Sequence, residues 1–242
     1  MNKDAHHHFW EKIGTDDPYF GVMSHEKYRG KGLDESAHKD FFETGEKHVT
    51  NVLKVFEKIR TQSPLETKNA LDFGCGTGRI SIPLSRRFEF VRGVDISSSM
   101  LLEAEKNSQF WNRSNIQFEQ IDGKAPFLDQ QFDYIHSSMV FQHIPPQQGM
   151  DILSHLLDHL KQNGKFFFQV TFHTEGKAQK PKRKRFFNAK RPDKDPSDYR
   201  FSMFDYDLNE IYKLFMEKNV RKIYSVLGQT GRHQFVRFYL QK

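Results

Sequence analysis

Apolar residues recur at helical spacing through residues 34–62, where Phe41, Phe42, Val49, Val52, Leu53, Phe56 and Ile59 share one stripe ahead of the breaker Ser63-Pro64. That spacing predicts an amphipathic helix. Short apolar runs at about 69–73 and 90–94 predict two strands, each followed by a helix, the first over about 78–88 and the second over about 97–110. Ser97 or Ser98 suits the N-cap of the second. Further strands are expected at 115–119 and 132–137, then a helix opened by Pro145 or Pro146 and running to about 162, where Asn163-Gly164 stops it. In "KFFFQVTF", 165–172, the apolar residues are contiguous instead of alternating, which marks a strand covered on both faces. A helix at about 205–219 and strands near 220–226 and 233–240 close the chain. Alternation of this kind predicts an α/β domain built on a doubly wound, largely parallel sheet.

A chain of 242 residues suits one such domain, and 24 phenylalanines supply apolar area for its core despite a modest hydrophobic share. No apolar stretch approaches the roughly 20 residues of a membrane span, and the polar start "MNKDAHHHFWEK" has no apolar core of a signal peptide, so a cytoplasmic protein is expected. The single Cys75 excludes an internal disulfide, and the run His6 to His8 has no partner ligands at metal spacing, so no metal site is expected. The net charge of +6 is local. Between Lys177 and Arg191 lie eight basic residues and no acidic one, and without those eight charges the remainder carries −2.

The sharpest local feature is "ALDFGCGTGRI", residues 70–80, where an apolar strand collapses into glycines at 74, 76 and 78. In a parallel sheet the first strand-to-helix turn is the usual ligand cradle, and glycine lets it take positive φ and bring bare backbone to a ligand. A phosphate-gripping loop needs Gly-Lys-Ser/Thr, whereas Arg79 and Ile80 follow Gly78 here; a dinucleotide fingerprint needs its third glycine at position 79. Asp72, two residues before the first glycine, suits a ligand bearing an ammonium group. Asp95, closing the second strand in "GVDIS", is placed to accept both hydroxyls of a ribose.

With these motifs the chain resembles the class I S-adenosylmethionine-dependent methyltransferases. "LDFGCGTGR" resembles the first motif of that family and "GVDIS" its acidic ribose motif; "IDGKAPF", "FDYIHSSMVFQHIP" and "LKQNGKFFFQV" follow in the expected order, over about residues 65–172. The resemblance implies a Rossmann-like, seven-stranded, mostly parallel sheet flanked by helices, with one antiparallel strand from the last hairpin. The chain is read as a single domain, residues 34–242, carrying a basic insertion at 173–204 and preceded by an N-terminal helical arm or lid at 1–33; on the arm and the insertion the resemblance says little. Its cofactor is S-adenosyl-L-methionine and its product S-adenosyl-L-homocysteine. By position, Gly74, Cys75, Gly76 and Gly78 would line the methionyl part and Asp72 would act on its amino end. Asp95 would hold the ribose, Ile96 and Met100 would flank the adenine, Asp122 with Gly123 would sit against its edge, and Ser137 would face the cofactor at the end of the fourth strand. Cys75 reads as packing within its motif.

Methyl transfer from such a cofactor needs an acceptor aligned with the sulfur–carbon bond and, for a hydroxyl acceptor, a base. His143, in "FQHIPP", is the candidate base; the competing reading is that it packs or caps the helix behind it. Trp10, Tyr19, Phe20 and Tyr28 form either an aromatic lid over the substrate or ordinary packing of the arm. Two acceptor classes stand: a small molecule, whose O or N atom is methylated in a pocket shaped by the arm and the insertion, or RNA, gripped through phosphates by the Lys177–Arg191 run with Phe186 and Phe187 as stacking faces. The run also reads as a solvated loop. A cofactor-binding protein without catalysis would show a damaged motif, and none is visible. Oligomeric state is left open by the sequence.

Overall fold

The computed structural model describes residues 3–59, 64–122, 130–176 and 201–242, with side chains from residue 6 onward. Seven strands, β1 (Asn69–Phe73), β2 (Phe90–Asp95), β3 (Ile116–Gln120), β4 (Phe132–Ser137), β5 (Leu160–Thr174), β6 (Lys222–Thr230) and β7 (His233–Gln241), form one sheet in the order β3-β2-β1-β4-β5-β7-β6. All are parallel except β7, which runs antiparallel to both β5 and β6. This is the Rossmann-like, mostly parallel sheet that the motifs imply. The winding direction reverses between β1 and β4, so the carboxyl ends of β1, β2 and β4 open one crevice.

Helices cover both faces, which explains the contiguous apolar run of β5. Phe166 and Phe168 point into a cluster with Ile152, Leu153, Leu156 and Leu157 of α6 (Pro146–Asp158) and Ile211, Leu214 and Phe215 of α7 (Leu208–Glu217). Phe167, one residue out of phase, points the other way, to Val49, Val52 and Phe56 of α3 (Glu35–Lys58) and Leu84 of α4 (Ser81–Ser85). Period-two alternation sends neighbouring phenylalanines to opposite cores. Each fully buried phenylalanine contributes roughly 1.5–3 kcal/mol of transfer free energy.

Two helices differ from the expectation. The helix expected over 78–88 shortens to Ser81–Ser85, because Gly78 holds φ +84° and no right-handed helix starts there. The helix expected to reach 162 ends at Asp158, because Leu160 already pairs with Phe132. Asn163, at φ +65°, marks a bend inside β5, where its N–H bonds to the Lys242 carbonyl. Between β2 and β3 runs α5 (Ser98–Phe110), whose N-cap is Ser97, its Oγ accepting from the Met100 N–H.

The N-terminal arm is two helices, α1 (Lys3–Asp16) and α2 (Pro18–Val22), followed by a short 3-10 turn at Glu26–Tyr28. Tyr19 and Tyr28 anchor it in a third cluster with Phe41, Phe42 and Ile82. Among the described residues no helix is long and apolar enough to cross a membrane, and no group of His, Cys, Asp or Glu is arranged to hold a metal.

Candidate functional site

The loop after β1 is drawn over the end of β2 by its own backbone. Gly74 and Cys75 donate their N–H groups to the Val94 carbonyl at 2.8 and 3.0 Å, and Gly76 donates to Asp95 Oδ2 at 2.9 Å. The other oxygen of Asp95 accepts the Ser97 N–H at 3.0 Å. One carboxylate thereby fixes both the glycine loop and the entrance to α5. Burial pushes the Asp95 carboxyl upward against these hydrogen bonds. Gly76 sits at φ +52°, and a Cβ there would lie 2.6 Å from Val22 Cγ2 of α2; glycine is required both by the turn and by the arm above it.

Beyond this loop opens a cavity of about 910 Å³, a volume that suits a cofactor together with a small acceptor. Asp72, Gly74, Cys75, Gly76, Asp95, Ile96 and Met100 line one end. Asp72 is 2 % exposed and accepts the Ser81 hydroxyl at 2.6 Å; burial raises its carboxyl to about 7. Cys75 is buried with its thiol pushed up by desolvation, the state of a packing residue and not of a nucleophile.

The other end is aromatic. Trp10 meets His143 edge-on at 5.2 Å between centroids, Phe201 lies 5.7 Å from Trp10, and the Trp10 indole N–H donates to His6. Nδ1 of His143 lies 2.8 Å from the Ser202 carbonyl, which only accepts, so Nδ1 carries the proton and Nε2 keeps its lone pair, 3.2 Å from the Gln142 amide nitrogen. Burial lowers His143 to about 4, so its ring is neutral at pH 7.

The arm roofs this cavity. Glu11 of α1 receives the Ser97 and Ser98 hydroxyls at 3.0 and 2.9 Å, the Ser99 N–H at 3.2 Å and the Ser99 hydroxyl. A carboxylate there also complements the positive end of α5. From the opposite side residues 201–206 return along β5, with the Phe204 N–H on the Gln142 carbonyl and the Tyr206 N–H on the Thr171 carbonyl.

Several expected site residues lie elsewhere. Tyr19 and Tyr28 are buried in packing, Tyr19 donating to Glu103 and Asn107 and Tyr28 to Asp40, while Phe20 lies under the Arg29 guanidinium. Of the four aromatic lid candidates, only Trp10 lines the cavity. Gly78 turns away from it, toward Ala104 and Phe118, where positive φ is what demands glycine. Ser137 is fully buried and off the cavity wall, which is lined instead by Ser138. Asp122 is exposed just past β3, and Gly123 and the Lys177–Arg191 run lie outside the described residues. Phe201, Met203, Gln169, Arg79 and Arg237 line the cavity without having been singled out. Gln169 and Arg237 leave a trace as single polar positions within apolar strands.

Residues 70–164 match the protein family described as Methyltransferase domain. A ubiquinone biosynthesis O-methyltransferase of Coxiella burnetii is 33 % identical over 124 residues, 51 % of each chain. A 23S rRNA (uracil(1939)-C(5))-methyltransferase of Pasteurella multocida is 30 % identical over 92 residues, 38 % of this chain and 21 % of that one. The chain spans between half and three fifths of the length of the first curated relatives it matches. In fold it is similar to magnesium protoporphyrin IX methyltransferase from Synechocystis PCC 6803, solved with bound SAH, at a TM-score of 0.64 and 17 % identity over the whole of both chains.

Proposed function

From a chain whose residues 70–164 belong to the methyltransferase-domain family, and whose sheet is that of the class I S-adenosylmethionine-dependent methyltransferases, we propose a cytoplasmic enzyme that methylates an O or N atom of a small molecule. The observation that carries this reading is the roofed cavity, with carboxylates and bare glycine backbone at one end and an aromatic wall at the other.

The residues present fit the cofactor. Gly74, Cys75 and Gly76 line the cavity where the methionyl part would lie, and Asp72 suits its ammonium group. Asp95 spends one lone pair of each oxygen on Gly76 and Ser97, which leaves acceptor capacity for two ribose hydroxyls. Ile96 and Met100 offer apolar walls to the adenine, and Asp122 is proposed for its exocyclic amine. Bound there, S-adenosylmethionine supplies a methyl group already activated on sulfonium. The chain's own task is then to align the acceptor and exclude water, an effect worth roughly 7–11 kcal/mol when orientation is good. Trp10, Phe201 and the arm perform the exclusion. His143, whose ring is neutral and whose Nε2 lone pair accepts from the Gln142 amide, takes the acceptor's proton once Gln142 swings aside.

RNA is the second reading. Its support is the basic run from Lys177 to Arg191 and the short likeness to an rRNA enzyme. A cavity roofed by α1 and residues 201–203 favours the small molecule, since a nucleotide in a strand needs an open groove for its neighbours. The test is incorporation of label from methyl-labelled S-adenosylmethionine into a cell extract separated into low-molecular-mass and RNA fractions. Label in the small fraction supports the proposal, and label only in RNA replaces it. Within the first outcome, His143→Ala is expected to lower kcat by at least about ten-fold with S-adenosylhomocysteine affinity unchanged; an unchanged rate removes His143 as base.

A further inference from the structure

Charge is divided unequally along the cavity. Among the described residues its lining carboxylates are Asp72 and Asp95, at the glycine-loop end together with Arg79, whereas the β7 side is lined by Arg232 and Arg237. Arg237 lies opposite Gln169 in the β5–β7 register, and its Nε donates to Gln169 Oε1 at 3.1 Å. Its guanidinium also lies 4.8 Å from the centre of the Phe235 ring. These contacts fix the plane of the fork while using only one of its donors, and Arg237 forms no ion pair among the described residues. Arg79 is 4 % exposed; one Nη reaches Thr44 Oγ1 at 3.4 Å, and its buried Nε has no hydrogen-bond partner. Asp72 answers the charge of Arg79. His48 supplies no charge to Arg237, because burial holds its ring neutral and its Nε2 is engaged with His136 at 3.1 Å.

A half-buried guanidinium that lines the cavity with a prearranged fork and no ion pair is a ready seat for an anion. We propose that the methyl acceptor carries an oxyanion, a carboxylate or a phosphate, which docks on Arg237 and turns the reacting atom of the acceptor toward the glycine loop. This rests on the methyltransferase reading above. Arg237 is then a specificity-determining residue: its rigid fork donates two parallel hydrogen bonds to two oxygens of the anion, which an ammonium cannot reproduce.

Calorimetry separates this inference from its premise. S-adenosylhomocysteine is titrated first; failure to bind refutes the methyltransferase reading, and with it the present one. Into the loaded protein, 4-hydroxybenzoate, phenyl phosphate and the neutral 4-hydroxybenzamide are then titrated, each offering a ring to the Trp10–Phe201 wall. At least one anion is expected to bind ten-fold or more tightly than the amide, and which one does so identifies the oxyanion. The preference should vanish in Arg237→Gln and be intermediate in Arg237→Lys, with S-adenosylhomocysteine affinity within two-fold of the parent in both. No preference in the parent protein, or a preference of equal size in either folded variant, overturns the proposal.

Discussion

Asp72 shows how one residue couples the fold to the site. Its carboxyl is buried and bonded to Ser81, and desolvation raises it to about 7, so near neutrality it is about half ionised. A bound ammonium favours the ionised form. Ligand affinity is therefore expected to rise with pH, by about ten-fold between pH 6 and 8, with a proton released on binding. Calorimetry of S-adenosylhomocysteine at pH 6, 7 and 8 in buffers of different ionisation enthalpy measures this. Asp72→Asn should bind weakly and without that pH dependence; a slope retained in the variant assigns the proton elsewhere. Asp95 is coupled differently, through two backbone N–H groups. Asp95→Ala removes charge-assisted bonds worth roughly 1.5–3 kcal/mol each. S-adenosylhomocysteine affinity should fall by at least ten-fold, and an unaltered affinity would refute the ribose assignment.

At the scale of elements, the arm is held by a single side chain as well as by packing. Glu11 gathers three consecutive serines at the start of α5, and although burial opposes its charge, their hydrogen bonds hold its carboxyl below the ordinary value. Loss of an N-terminal capping carboxylate costs about 1 kcal/mol. Glu11→Ala is expected to loosen α1 from α5, raising the rate of proteolysis within residues 3–16 and weakening S-adenosylhomocysteine binding several-fold. The Tyr19–Tyr28–Phe41 cluster should keep α2 in place. If proteolysis is unchanged, Glu11 is not the latch. The β5 strand makes a parallel point about periodicity: three adjacent phenylalanines serve two cores because the pleat reverses at each residue, and Gln169 interrupts that pattern where it meets the cavity.

For the whole molecule, buried neutral histidines set the acid limit. His136 is fully buried between Tyr134 and His48, and burial holds His136 well below its ordinary value, His48 at about 3 and His143 at about 4. In the unfolded chain each gains a proton below about pH 6.5, while the folded chain does not, so stability is full above that pH and falls as pH drops toward 4. Thermal melts from pH 7.5 to 4 should show this decline, steepening below 6.5. His136→Phe is expected to flatten it, and an identical decline in that variant would place the acid sensitivity in other groups.

The strands at Asn69–Phe73 and Phe132–Ser137, the Ser97 cap and the glycine loop were legible in the sequence, because period, capping and positive φ are local properties that neighbouring residues express within a few positions. The family motifs added the first strands of the sheet and the glycine-loop end of the cavity, which lie in or beside the contiguous stretch of residues 70–164. What only the tertiary structure decided is which distant side chains meet. It put Tyr19, Phe20 and Tyr28 into packing and left Trp10 beside Phe201, 191 positions later in the chain, because one arm face had to be buried against α3 and the other had to close the cavity. It turned Gly78 and Ser137 away from the site. It also set Arg237 of the last strand against Gln169 of β5 on the wall of the cavity that the glycine loop lines, an arrangement that arises from sheet order and register and that no window of sequence carries.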